Sequence, residues 1–333
     1  MPASIAYFLH GRGRGHASRS LPVIRRLRAQ GHLVRAFGAQ DAADLAVATD
    51  ELIAVPPVLP GAGGVLTAIN RLSTSRRALA GVDMVISDGD MPSVLAARVL
   101  GLPILAVGHE LVFSRCVLPQ SLPVPTVRRQ ILHAWHTSLR WCDGVAVHFA
   151  DIAARDPRTR VARPSVGSPP AVDPRFADAT VLYFRDDNSQ PVATALLAAG
   201  HRVVQFGARG EVAAGVEVQP FDQQLFRSAV ASCRAVVASA GSNVLSECAW
   251  LGTRVLACHR AGDAEQELNA YLVEAERLGV RWCINEPDAL AAAIRRLDGL
   301  PLTETGVSDR WTNALPPVDD VVCGWVNAGG RWR

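Results

Sequence analysis

At 333 residues, with 49% hydrophobic content and a slightly positive mean hydropathy, the chain has apolar material for two ordinary domains, and its formal net charge of +3 is too small to mark a nucleic-acid binder. The sequence contains no lysine, which excludes a lysine Schiff base, a pyridoxal-phosphate enzyme and a Walker-A phosphate loop. The seven cysteines are scattered without a CxxC pair and read as reduced core residues, not as metal ligands or disulfides.

In chain order, 4–10 (SIAYFLH) reads as a buried strand and 17–30 as a helix stopped by Gly31. No basic and apolar leader precedes that strand and no apolar run reaches membrane-spanning length, so a cytoplasmic location without a transmembrane segment is expected. Strands follow over 32–37, 51–55, 83–87 and 103–108, with helices over 41–49, 66–80 and 91–100 between them. After an irregular stretch at 119–125 come a helix over 126–142 and a strand over 144–149. Prolines 157, 164, 169, 170 and 174 then mark an interdomain connection, placed at 166–177. Beyond it, strands over 179–184, 202–206, 234–238 and 254–258 alternate with helices over 189–199, 222–232, 242–251, 264–278 and 287–298. Short apolar strands alternating with helices predict an α/β fold of two Rossmann-like, doubly wound domains, 1–165 and 178–310, whose strand-end loops face a central cleft. The tail over 311–333 has weak periodicity, and packing back on the first domain is one arrangement for it.

The first strand ends in Gly11-Arg12-Gly13-Arg14-Gly15-His16. A dinucleotide fingerprint fails here, because G-x-G-x-x-G needs glycine where His16 stands and the second strand ends in Arg35-Ala36-Phe37-Gly38 without an acidic residue. What the loop offers is a histidine at a helix start, where the dipole disfavours the imidazolium and suits a base; capping or packing is the plainer alternative. Arg12 and Arg14 suit a donor diphosphate or an anionic acceptor, or are solvated charge. Asp88-Gly89-Asp90 has three readings: an Asp88 that orients His16, an ordinary turn, or a DxD metal motif. His109 and Glu110, at the end of another strand, fit acceptor contact or loop hydrogen bonds.

In the second half, Ser239, Gly241, Ser242 and Asn243 follow a strand and open a helix, an arrangement suited to a diphosphate, although helix capping explains it too. Glu247 stands farther along that helix, placed for ribose hydroxyls. A further helix start carries Glu265, Gln266 and Asn269, whose carboxylate and amide groups suit sugar hydroxyls, or form an exposed, solvated helix start.

With Gly13-Arg14-Gly15-His16, Ile86-Ser87-Asp88 and the two second-half clusters laid out, the chain resembles a GT-B glycosyltransferase over about 1–280, in the group that contains the lipid II-forming N-acetylglucosaminyltransferases and natural-product glycosyltransferases. The resemblance implies that Ser239, Gly241, Ser242 and Asn243 hold the donor diphosphate, Glu247 the ribose, and Glu265, Gln266 and Asn269 the sugar. It also implies that His16 is the base and that Phe221 lies near the nucleobase. Arg185-Asp186-Asp187-Asn188-Ser189 departs from the glycine- and serine-rich loop of the lipid II-forming enzymes. The expectation is an inverting, metal-independent transferase that needs no cofactor. It takes a nucleoside-diphosphate sugar, UDP-sugar first, and hands it to a small-molecule acceptor, in bacterial specialised metabolism. A nucleotide-sugar 2-epimerase of similar architecture and a non-catalytic sugar-nucleotide-binding protein are the alternatives.

Overall fold

The computed structural model describes residues 2–9, 14–38, 51–55, 70, 72–120, 122–134, 142–184, 189–208, 210–301 and 315–332. Its first half is a seven-stranded parallel sheet of β1 (Ser4–Leu9), β2 (Leu33–Gly38), β3 (Glu51–Ala54), β4 (Met84–Asp88), β5 (Ile104–Gly108), β6 (Asp143–Val147) and β7 (Thr159–Ala162), in the order β3-β2-β1-β4-β5-β6-β7. The helices of this half are α1 (Arg14–Ala29), α2 (Met91–Val99), α3 (Leu111–Arg115) and α4 (Val124–Ala134); residues 72–78 are also helical. The second half is a six-stranded parallel sheet of β8 (Ala179–Tyr183), β9 (Arg202–Phe206), β10 (Glu217–Gln219), β11 (Ala235–Ser239), β12 (Val255–His259) and β13 (Gly279–Cys283), in the order β10-β9-β8-β11-β12-β13. It carries α5 (Ser189–Ala198), α6 (Gln223–Ser232), α7 (Ser242–Leu251), α8 (Ala264–Ala275) and α9 (Leu290–Asp298).

Both sheets are doubly wound, and the near-continuous apolar runs of their strands follow from burial on two faces. One face of each belongs to a single apolar cluster running from Phe8, Phe37 and Phe113 to Phe206, Trp250 and Leu268, so the halves share a core. The other faces are separate: Val23, Ile24 and Leu27 of α1 cover the first sheet, and Leu196 of α5 with Ile294 and Leu297 of α9 cover the second. Each strand order reverses beside its first strand, between β1 and β4 and between β8 and β11. Ligand crevices form at such reversals, outside the carboxyl ends of the strands.

The differences from the sequence reading have local causes. Helix α1 starts at Arg14, so Gly15 and His16 lie in its first turn. Strand β7 lies inside the proline-rich region, and β10 is only three residues long, below the length at which alternation is visible. Helix α8 stops at Ala275 and β13 takes over at Gly279, where a Cβ would stand 1.9 Å from the Val255 carbonyl oxygen; only glycine allows that edge strand so close an approach to β12. The expected helix over 41–49 lies outside the described residues. In the tail, α10 (Val318–Asn327) packs on α1, β6 and β7. Its Trp325 is fully buried and donates Nε1–H to Asp143 Oδ2 at 2.9 Å, while Asp319 takes Arg26 of α1 at 2.6 Å. Among the described residues no helix is long and apolar enough to cross a membrane.

Candidate active site

Neighbouring strands β1 and β4 pair Leu9 with Asp88, so the residue ending β4 stands beside the chain that leaves β1 for α1. His16 Nδ1 lies 2.8 Å from Asp88 Oδ1. Arg19, one turn further along α1, reaches the same carboxylate with Nη2 on Oδ1 and with Nε on Oδ2 at 3.3 Å, and Ser20 Oγ donates to Oδ2 at 3.0 Å. Asp88 is fully buried, as Arg19 nearly is. Burial alone would raise the Asp88 pKa, but the Arg19 guanidinium and His16 outweigh it and hold the carboxyl well below the usual range. Arg19, whose burial works against its charge, is pushed above the ordinary arginine value by Asp88.

Nδ1 of His16 has two neighbours, Asp88 Oδ1 at 2.8 Å and Arg19 Nη2 at 3.1 Å. The closer, ionised oxygen favours the tautomer in which Nδ1–H donates to Asp88 and the lone pair sits on Nε2.

Glu110, just after β5, folds its carboxylate over Gly108, where a Cβ would meet Oε1 at 2.4 Å. Burial raises its pKa, Arg19 opposes that and Asp88 adds to it, so Glu110 shares the electrostatic cluster of His16. Asp90 is occupied elsewhere, since its Oδ2 accepts the Ser93 N–H at 3.0 Å and caps α2. Arg12 lies outside the described residues, and Arg14 opens α1 with a side chain that is likewise outside them.

His109 is buried, stacked on His148 at 4.8 Å, with Nδ1 3.2 Å from the Val147 carbonyl oxygen and Nε2 2.8 Å from Asn269 Oδ1. Asn269 is itself wholly buried, and its Nδ2 donates to the Ala240 carbonyl at 3.0 Å. The amide thus braces the loop before α7 against the first half of the chain. Glu265, half exposed, stands 4.0 Å from His109 Nε2, and Gln266 donates its backbone N–H to the capping Asp263.

Helix α7 starts at Ser242 with Gly241 as its N-cap and no side-chain cap, and it ends at Gly252 in the left-handed conformation. A Cβ on Gly241 would meet nothing closer than the Ser239 carbonyl oxygen at 3.9 Å, so the backbone there stands open to approach. Ser239, Ser242 and Asn243 are half-buried around it. Glu247 is pushed up from 4.5 to about 7 by burial, with Arg227 opposing the rise from 3.9 Å away. Phe221 is exposed and stacks on Tyr183 at 5.5 Å.

Two groups of expected residues are thus brought together. His16, Asp88 and Glu110 share one cluster, while His109, Glu265 and Asn269 meet where α8 touches the first half. The peptide bond between His109 and Glu110 links the two. Arg19 was missed by the sequence reading; its signal is a basic residue one helical turn after a histidine, on the same face.

The sequence pattern described as Glycosyl transferase family 1 matches residues 60–298. No curated protein matches the chain. Solved structures that resemble it include the glycotransferase of kitacinnamycin (TM-score 0.69, 17% identity, 98% of this chain and 99% of that one). They also include the calicheamicin glycosyltransferase CalG4 (TM-score 0.67, 15% identity, 99% and 98%) and MurG of Acinetobacter baumannii (TM-score 0.64, 16% identity, 98% and 100%). These likenesses make the fold GT-B.

Proposed function

The chain belongs to glycosyl transferase family 1, and from that premise we propose that it moves a sugar from a nucleoside-diphosphate donor to a small-molecule acceptor by a single inverting displacement. The observation that carries the reading is the His16–Asp88 pair at the β1/β4 reversal, its carboxylate kept ionised by Arg19. Nε2 of His16 takes the proton of an acceptor hydroxyl as its oxygen bonds to the anomeric carbon. The bond from that carbon to the diphosphate oxygen breaks on the opposite face, and the electron pair leaves with the diphosphate. Inversion follows from one displacement.

The leaving diphosphate is received at the start of α7, where Gly241, Ser242 and Asn243 present an anion to a helix N-terminus, and no metal is required for that stabilisation. Glu247 accepts from the ribose hydroxyls, Phe221 lies against the base, and Glu265 and Gln266 meet the sugar. A UDP-sugar is the first donor to test. A solved relative, VinC, is described in complex with DTDP at TM-score 0.61 and 12% identity, which supports a nucleoside diphosphate as the class. Specialised metabolism fits the likeness to the kitacinnamycin and calicheamicin enzymes.

Thermal shift with UDP, TDP, GDP and ADP tests the donor class, since a ligand at about 100 times its Kd stabilises by roughly 2.7 kcal/mol. The anomeric configuration of the product, read by NMR, then tests inversion. A retained configuration rules out the single displacement.

A further inference from the structure

Glu247 has one ionic partner among the described residues, Arg227 of α6, and that arginine makes contacts the transfer reaction does not require. Its Nη2 donates to the Val166 carbonyl and, at 3.1 Å, to the Ser168 carbonyl, both in the connection between the two sheets. Gly167 between them has φ +71, a turn that brings both carbonyls to one guanidinium. The guanidinium lies over the Trp250 ring of α7 at 5.4 Å from its centroid. Its Nε is buried without a hydrogen-bond partner and stands 3.9 Å from Glu247 Oε1, beyond hydrogen-bond range. The same connection continues at Ser165, whose Oγ hydrogen-bonds Asp319 of α10, and Asp319 holds Arg26 of α1.

We propose that Arg227 is a positioning residue of the donor site: it fixes the Glu247 carboxylate for the ribose and ties that carboxylate to the connection between the domains. This rests on the reading of Glu247 as the ribose-binding group. A guanidinium divided among two carbonyls, an indole face and a carboxylate is confined to one position, and its charge keeps Glu247 available as an acceptor. Lysine, a single-point cation, cannot bridge the same set. The ionisable groups facing Glu247 are Arg227 on α6 and the neighbouring Cys248, with Cys233 at the end of α6 behind it. Burial holds both thiols neutral, Cys233 at about 12 and Cys248 well above the ordinary value. Without Arg227 nothing among these opposes the effect of burial on Glu247, and the carboxylate takes its proton at higher pH.

The experiment is calorimetric titration of the full chain, between pH 5.5 and 9, with whichever of UDP, TDP, GDP and ADP gives the largest thermal shift. Wild-type affinity is expected to fall as pH drops through about 7. Arg227→Met, which keeps the stem over Trp250, is expected to bind about tenfold more weakly at neutral pH and to move that fall upward by about one pH unit. In Glu247→Gln the fall disappears. If Glu247→Gln binds like wild type, the ribose reading itself fails. If Glu247→Gln weakens binding while Arg227→Met keeps the wild-type Kd and pH dependence, the ribose reading stands and the role of Arg227 is overturned. Arg227→Lys covers a Met variant that does not fold: it keeps a charge but not the bridge, so it is expected to bind more weakly than wild type at neutral pH, and a wild-type Kd with lysine in place would overturn the proposal.

Discussion

Two carboxylates, one in each half of the molecule, are treated in opposite ways. Asp88 accepts from His16, Arg19 and Ser20 and is held well below the carboxylate range despite complete burial. Glu247, whose side chain keeps about a fifth of its surface exposed, has among the described residues a single cation at 3.9 Å and rises to about 7. A carboxylate that orients a base must be ionised before any substrate arrives, so its acceptor sites are filled by the protein. One that reads a ligand's hydroxyls needs acceptor sites left over. Under the proposed roles, the difference in hydrogen bonding separates a group that acts through another residue from a group that meets the ligand itself.

The sharpest way to break the comparison is Asp88→Asn. Removing the charge leaves Arg19 buried beside a neutral amide, and breaking a buried pair from one side costs about 3–5 kcal/mol. Because the folded pKa of Asp88 is depressed, its contribution is present above the unfolded carboxylate value and is lost as pH falls through the folded one. Urea unfolding at pH 7 should show the large loss, and the gap between variant and wild type should close in acid. A loss under about 1 kcal/mol at pH 7 would mean that the carboxylate is not held as described.

His16→Ala attacks the same cluster from its exposed end. The side chain is a quarter exposed, so its removal should leave folding and nucleotide binding near wild type while turnover falls by about 10²- to 10⁴-fold. Steady-state kinetics normalised to folded protein make the check. Turnover near wild type would leave Glu110, in the same electrostatic cluster, as the next candidate base.

How much of this was legible beforehand depends on the range of the interaction. The alternation of strands and helices is written in local apolar periodicity, and with it the placing of His16 and Asp88 at strand ends on one crevice. Arg19 is different: its spacing puts it on the face of His16, but its partner lies 69 residues away and local spacing does not name it. Asn269 was read as a sugar contact from its place on α8 beside Glu265. Which face of α8 meets His109 is set by how the two halves pack, and that packing spends the amide on His109 and Ala240. The tail reads as weakly periodic, and helix α10 follows Pro316-Pro317 and needs α1 and β6 to cover its apolar face.

On the donor side, Glu247→Gln should move stability and binding in opposite directions. A folded pKa raised from 4.5 to about 7 means that the relative stability is present below pH 4.5 and is lost as pH rises through 7. The glutamine variant avoids that loss, so above pH 7 it should be more stable than wild type by on the order of 1–3 kcal/mol. Its affinity for the nucleoside diphosphate should fall by about 1.5–3 kcal/mol. Thermal melts at pH 5 and pH 8, run with and without nucleotide, read both quantities. A variant no more stable at pH 8 would show that Glu247 is better solvated than its burial implies, and the contrast with Asp88 would narrow.

The smallest expected effect is none at all, from chelation. Asp88-Gly89-Asp90 has the spacing of a metal-binding DxD motif, yet the two carboxylates are committed elsewhere: Asp88 to His16, Arg19 and Ser20, and Asp90 Oδ2 to the Ser93 N–H at the start of α2. Arg19 already supplies the positive charge that a cation would bring to Asp88. Metal binding there would have to displace a buried guanidinium and uncap a helix, and each step costs more than an exposed aspartate pair would incur. Turnover in EDTA should therefore equal turnover without it. Activity that disappears with chelator and returns with magnesium or manganese would show that Asp88 serves a cation during the reaction, and the filled carboxylate would then have to open in the same way as Glu247.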